Sequence, residues 1–199
     1  MTLSPSSLAA VILAGGLSRR MGRIDKAFAT LAGQTLLQRV VNRLLPQVGK
    51  VMINTNGDAA RFSAFALPVV PDLRSHHPGP LAGIEAAFLA SDADWLLSVA
   101  VDLPFLPLDL AEKLSASAEA GLVMAAGPSG PHPVVALWSR HLLPAISSTL
   151  DQGSPRLLNW IKARKHAVVS FSFLAGEIDP FFNINHPHDL DAAQYLLPS

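Results

Sequence analysis

Short apolar runs alternate with stretches of helical periodicity along this chain, and that alternation restricts the fold more than any other feature. Residues 8–13 form an apolar run of strand length. Leu37, Val40, Val41, Leu44, Leu45 and Val48 then recur at helical spacing, with Arg39 and Arg43 among the intervening polar positions. Further strands are predicted over 50–54, 68–70 and 95–101, and Leu81, Ile84 and Phe88 mark a second helical face. The run at 95–101 is nearly continuous, as suits a strand covered on both faces. Such a βαβα order predicts an α/β fold, a three-layer αβα, Rossmann-like arrangement with a mostly parallel central sheet and right-handed crossovers. The second half is more mixed. Strands are predicted over 121–126, 134–138 and 167–173, and helices over 142–150, 155–164 and 187–197. Asn185 or His186 stands near the N-cap of the last helix and Pro187 in its first turn.

In open sheets of this kind, ligands bind beyond the carboxyl ends of the strands. The first strand stops at Leu13, Ala14, Gly15 and Gly16, and Arg19, Arg20, Arg23 and Lys26 crowd into the loop behind them, with Asp25 its only acid. Glycine lacks a Cβ, so a ligand can approach the backbone N–H groups closely, and oriented N–H groups beside cations seat a polyanion. A nucleoside triphosphate is the ligand this suggests. No Gly-Lys-Ser/Thr run follows Gly15, which excludes a Walker A loop, and the spacing is not that of the dinucleotide fingerprint. Three further polar residues close strands on the same edge: Asn54 ends the second, Asp72 follows the third and Asp102 ends the run at 95–101.

The rest of the composition narrows the function. With 199 residues, half of them hydrophobic and 15% charged, the chain has enough apolar content to bury a core. No repeat, low-complexity block or linker divides it, so residues 1–199 read as a single domain. Net charge is zero, and the one basic cluster is too short for a duplex footprint, so a nucleic-acid partner is not expected. There is no cysteine, hence no disulfide or thiolate metal site. The start lacks a basic n-region and no apolar stretch reaches membrane-spanning length, so a cytoplasmic protein without a membrane partner is expected.

The order L-A-G-G-x-S-x-R-M-G-x-x-D-K over 13–26 resembles the signature of the sugar-nucleotide pyrophosphorylase superfamily of nucleotidyltransferases, and within it most closely the molybdenum cofactor guanylyltransferases. Gly79-Pro80-Leu81-Ala82-Gly83 is similar to that family's G-P-L-A-G segment. Residues 182–187 (F-N-I-N-H-P) are similar to its F-x-N-x-N-T-P, with His186 where Thr is usual. His132-Pro133 opens a segment like its H-P-x-x-A-L. The resemblance implies a nucleotidyltransferase fold whose N-terminal half binds nucleotide and whose C-terminal half binds an acceptor.

It also implies roles. Asp102, a carboxylate held behind an apolar strand, becomes the Mg²⁺ ligand, since magnesium takes one or two carboxylates and keeps several waters. Lys26 and Arg20 fall on the phosphates. Leu13, Ala14, Gly15, Gly16, Asn54, Asp72, Gly79 and Gly83 join Lys26 and Asp102 in binding nucleotide. Asn54 or Asp72 offers an oxygen to the N1–H and N2–H₂ of guanine, with a ribose contact as the rival role for Asp72. A glycine within the first helical turn costs roughly 1 kcal/mol relative to Ala, so a close ligand approach is expected at Gly83. His132, Arg156, Asn183 and Asn185 are candidate acceptor contacts. Asp92 and Asp94 precede the strand and read as a turn, and His186 and His188 read as a cap and a surface residue.

The implied reaction moves GMP from GTP to the terminal phosphate of molybdenum-molybdopterin. Molybdenum-insertion proteins and molybdoenzyme chaperones are the implied protein partners. A cytidylyltransferase acting on the same acceptor is the rival, but such relatives carry L-A-A-G where this chain has L-A-G-G. A sugar-phosphate nucleotidyltransferase would need a longer chain. Lys26 and Asp102 together argue against a catalytically silent nucleotide-binding regulator.

Overall fold

Strand β1 (Leu8–Leu13) sends alternate side chains to opposite faces of one sheet, and two separate cores follow from that alternation. Ala10 and Ile12 pack with the apolar stripes of helices α1 (Leu36–Leu44) and α3 (Leu110–Ser115). Ala9 and Val11 face the other way, toward α2 (Pro80–Leu89), α4 (Leu143–Gln152) and α5 (Leu157–Lys162). The computed structural model describes residues 3–15, 25–74, 79–153, 156–174 and 177–197.

The sheet has seven strands in the order β5-β4-β1-β6-β8-β7-β9. These are β4 (Lys50–Asn54), β5 (Val69–Val70), β6 (Trp95–Ala100), β7 (Leu122–Gly127), β8 (Gly130–Ser139) and β9 (Ala167–Ser170), with β1 as above. β5, β4, β1 and β6 run parallel, and β8 is antiparallel to both of its neighbours, β6 and β7. The expected mostly parallel sheet between helical layers is therefore the one observed. The chain passes from β1 outward through β4 and β5, then returns to the other side of β1 as β6. Such a reversal opens a crevice at the carboxyl ends of β1 and β6. Leu13 is opposite Asn54 on one side and Ala100 on the other, so Gly15 lies between the ends of both neighbouring strands.

Local chemistry explains the element ends. Thr35 caps α1, its hydroxyl accepting from the N–H of Gln38 at 3.1 Å, and Leu36, Leu37, Val40, Val41 and Leu44 are buried. Gly79 precedes α2 with φ 94°, a conformation that favours glycine, and Pro80 fills the first turn. Every residue from Leu81 to Phe88 is buried, because α2 lies between the sheet and α4. A small hairpin, β2 (Thr30–Leu31) and β3 (Gln34–Thr35), turns through Ala32 and Gly33, both at positive φ, as a two-residue hairpin loop of the right twist requires. Helix α6 (Pro187–Leu196) holds that turn: the Gln194 side chain accepts from the N–H of Ala32 at 2.9 Å.

Three expectations differ in extent. The strand expected over 167–173 ends at Ser170, because Phe171 turns into the core at 4% exposure. β8 is longer than 134–138, since its first residues pair with β7 across a tight hairpin. The helix expected over 155–164 is Leu157–Lys162. Helix α3 and the β2–β3 hairpin were not expected.

Candidate active site

Lys26 occupies the centre of the crevice because three local contacts fix the turn that carries it. Asp25 accepts from the N–H of Ala27 at 3.1 Å and caps the 3₁₀ turn Lys26–Phe28. Arg61 binds Asp25 at 2.9 Å and lies over the Phe28 ring, 4.6 Å from its centroid. From this base the Lys26 ammonium donates to Oδ2 of Asp102 at 2.8 Å and to Oδ1 of Asn185. The strand-end loop, the turn after β6 and the segment before α6 thus meet at one nitrogen.

Asp102 is positioned by backbone on both sides. Val101 donates its N–H to the carbonyl of Leu13 at 3.2 Å, and the Asp102 carbonyl accepts from the N–H of Ile184 at 3.0 Å. Its Oδ2 faces Lys26, while its Oδ1 is buried with no hydrogen-bond partner among the described residues. A buried carboxylate oxygen left without a donor is the kind of atom a hard cation satisfies. Among the described residues there is no cluster of three or more His, Cys, Asp or Glu side chains that would hold a metal alone. The donor set therefore fits a divalent ion that takes one carboxylate and draws its other ligands from phosphate and water.

Asn185 is held in turn by Asp189, which sequence reasoning missed. Its Oδ2 accepts the N–H groups of Asn185 (2.8 Å) and His186 (2.7 Å). Burial alone would raise the Asp189 carboxyl, but these two backbone donors together with the neighbouring His188 and His186 outweigh it and hold it below the usual carboxylate range. The spacing of an acid three residues after the N-cap was the available signal.

A second group forms between β4 and β5. Asn54 is buried, and its Nδ2 donates to the carbonyl of Val70 at 3.0 Å and to Oδ1 of Asp72 at 2.8 Å. Asn56, another residue missed in the sequence, donates to Oδ2 of Asp72 at 2.9 Å and accepts the N–H of Asp72 at 2.8 Å. Gly83 owes its small size to this group. A Cβ there would lie 2.3 Å from Oδ1 of Asn54 and 2.6 Å from Cδ2 of Leu13. The close approach expected at Gly83 is thus made by the protein's own side chains.

Beyond Asp72, Arg74 ties the connection to two helices. It binds both oxygens of Glu85 on α2, at 2.8 and 2.7 Å, and reaches Asp151 at the end of α4. Arg74 hydrogen bonds hold the buried Glu85 below the usual carboxylate range, and the Arg74 guanidinium is correspondingly shifted upward.

The acceptor candidates are spread more widely. His132 on β8 lies against Phe181 with ring centroids 4.5 Å apart, and its Nε2 is buried without a partner among the described residues. Burial pushes the His132 pKa down, offset in part by Asp179. Asn183 is exposed, next to the Ile184 that anchors Asp102, and Arg156 is exposed at the N-cap of α5. Ala14 donates its N–H to the Asn54 carbonyl at 2.9 Å, and Gly15 is exposed beside Asn54. Gly16 and Arg20 lie outside the described residues, as do Arg19, Arg23, His76 and His77.

A glycine-ended first strand, a lysine and a lone metal-suited carboxylate around one sheet crevice define a nucleotidyltransferase. Over residues 10–168 the chain matches the family described as MobA-like NTP transferase domain. It is 41% identical to the molybdenum cofactor guanylyltransferase of Rhodopseudomonas palustris (strain BisB5), across 94% of this chain and 92% of that one. Identity is 42% to the protein of the same name from Acidiphilium cryptum (strain JF-5), across 96% of each. The fold is shared with molybdopterin-guanine dinucleotide biosynthesis protein A from Archaeoglobus fulgidus: TM-score 0.75, over 95% of this chain and 97% of that one, at 24% identity. The chain belongs to the MobA-like NTP transferase family and, within it, to the molybdenum cofactor guanylyltransferases. No helix among the described residues is long and apolar enough to cross a membrane.

Proposed function

We propose that the chain transfers GMP from GTP to the terminal phosphate of molybdenum-molybdopterin, releasing pyrophosphate and forming the molybdopterin guanine dinucleotide cofactor. An oxygen of the acceptor phosphate attacks the α-phosphorus. One P–O bond forms there, and the bond to the oxygen bridging to the β-phosphate breaks, with that oxygen leaving on pyrophosphate. The nucleophile is already anionic near neutral pH, so alignment and charge stabilisation carry the rate rather than a strong base. A half-buried His132 with a depressed pKa suits a packing or acceptor-contact role in such a scheme.

The observation that carries this reading is the Lys26 ammonium braced between Asp102 and Asn185. An ammonium has three donors, and two are directed here, which leaves the third for a phosphate oxygen. Arg20 adds a second cation, and the backbone at Leu13, Ala14, Gly15 and Gly16 lines the nucleotide. Asp102 would hold Mg²⁺ through its unpartnered Oδ1. When bound, the ion neutralises charge that builds on the phosphates as pyrophosphate departs. Asp72, steadied by Asn54, faces the guanine, and Gly79 opens the neighbouring helix. Asn183, Asn185, Arg156 and His132 serve the acceptor side, in a cytoplasmic protein that molybdenum-insertion proteins and molybdoenzyme chaperones would meet.

Incubation with each of the four NTPs, Mg²⁺ and molybdenum-loaded molybdopterin, followed by pyrophosphate, tests the proposal. GTP should be the productive donor, and Lys26→Ala should cut turnover about 100-fold while the protein stays folded. Turnover with CTP in place of GTP would make it a cytidylyltransferase, and nucleotide binding with no turnover would make it a regulator.

A further inference from the structure

The Asp72 carboxylate is gripped from two sides in a way that base reading alone does not require. From beneath, the buried Asn54 gives Oδ1 a donor at 2.8 Å, and Asn54 is itself fixed by the Val70 carbonyl and by the tight contact at Gly83. From the exposed side, Asn56 makes a two-way contact: its Nδ2 donates to Oδ2 at 2.9 Å and its Oδ1 accepts the Asp72 N–H at 2.8 Å. That reciprocity sets which way the Asn56 amide points. Behind Asp72, the guanidinium of Arg74 pins the chain to Glu85.

A carboxylate has about four acceptor positions, two on each oxygen. Asn54 and Asn56 take one on each, leaving one on each. Two neighbouring acceptors of fixed direction match two adjacent N–H donors. The N1–H and N2–H₂ of guanine provide such a pair. Cytosine presents one amino donor beside the acceptors N3 and O2, and an aligned anion repels the latter. Hypoxanthine keeps N1–H and lacks the amino group.

We infer that Asn56 is a positioning residue for nucleotide selectivity: it aims the Asp72 carboxylate so that both oxygens engage guanine, and so discriminates GTP from ITP and CTP. The inference rests on the reading of GTP as donor with Asp72 at its base. Among the described residues the Asn56 side chain hydrogen-bonds to Asp72 and to neither Lys26 nor Asp102.

Equilibrium binding of GTP, ITP and CTP with Mg²⁺, measured by calorimetry on the whole protein, decides it. The unsubstituted protein should prefer GTP to ITP about tenfold, on the scale of a recognition hydrogen bond to a charged group. Asn56→Ala should weaken GTP about five- to tenfold and ITP no more than about twofold, so that the GTP/ITP ratio collapses. In turnover, KM for GTP should rise while kcat stays within about twofold. Asn56→Asp is the second variant. It keeps the acceptor for the Asp72 N–H but sets a second carboxylate against Oδ2. If Asn56 aims the carboxylate, Asn56→Asp binds GTP more weakly than Asn56→Ala. If Asn56 only holds the loop, Asn56→Asp is the better of the two, and the inference is overturned. A parallel loss of all three nucleotides, or an unchanged GTP/ITP ratio, overturns it as well. Should the unsubstituted protein fail to prefer GTP over CTP, the guanylyl reading itself falls and takes this one with it; a retained preference untouched by Asn56 variants sinks the inference alone.

Discussion

Gly83→Ala separates helix propensity from packing, because the two act in opposite directions. Propensity favours Ala over Gly within α2 by about 1 kcal/mol. The new methyl, however, would lie 2.3 Å from Oδ1 and 2.7 Å from Cγ of Asn54, and 2.6 Å from Leu13 Cδ2. Asn54 is 5% exposed and tethered to Val70 and Asp72, so it moves only by giving up those bonds. Overpacking of a closed site costs about 1–3 kcal/mol. Each surrendered hydrogen bond adds about 0.5–1.5 kcal/mol. After subtracting the propensity gain, the variant should lose about 1–5 kcal/mol, with about 3 kcal/mol at the middle of that range. For a chain of this size the middle value lowers the melting temperature by about 6–12 °C. Urea denaturation and thermal melting measure it, and GTP affinity should fall in the same variant because Asp72 loses its inner support. A variant as stable as the parent, or more stable, would refute the claim that Asn54 and Leu13 fill the space at Gly83.

Asp102→Ala should reduce turnover at least about 100-fold and abolish the Mg²⁺ dependence of nucleotide binding, read by calorimetry with and without the ion; a change under threefold defeats the metal assignment. Arg74→Leu leaves the Glu85 carboxylate, ordinarily near 4.5 and depressed here by its Arg74 hydrogen bonds, buried without its cation. That bond stabilises the fold above about pH 4.5 and is lost as pH falls below it through the depressed folded value, so the stability gap between parent and variant should be widest at pH 7 and shrink as pH is lowered past 4.5 in urea titrations. His132 is depressed below 6.5 by burial, so the unfolded chain takes up its proton first as pH drops. The parent should therefore lose stability between pH 7 and pH 5 that His132→Phe retains, and equal slopes would place His132 in a solvated setting instead.

What was legible in the sequence follows from how far each signal reaches. β1, β4 and β6 and the helices α1 and α2 were readable because their apolar runs are long, and the sheet buries them. Their order fixed which ends share a crevice, and so Asn54, Asp72 and Asp102 were legible at strand ends and Lys26 in the loop behind the first strand. Helix α3 has only six residues, and each strand of the β2–β3 hairpin has two, too short for a period to show. Asn56 and Arg74 carry no local pattern; their meaning lies in contacts 16 and 11 residues away. Gly83 signals a close approach to the backbone and was expected to meet a ligand, but one sequence cannot tell whether a ligand or the protein fills the space. Asp189 stands at the capping spacing from His186, but histidine is an uncommon N-cap, so the pattern is weak until the contacts to Asn185 and His186 are seen.

The Lys26–Asn185 contact joins residues 159 positions apart, and the Ile184 N–H is what meets the Asp102 carbonyl. During synthesis, β1, β4 and β6 emerge from the ribosome long before Asn185 does. A nascent chain that has already assembled β1, β4 and β6 still lacks the brace on its lysine. The contact that orients the Lys26 ammonium is thus completed only once the segment before α6 has been made.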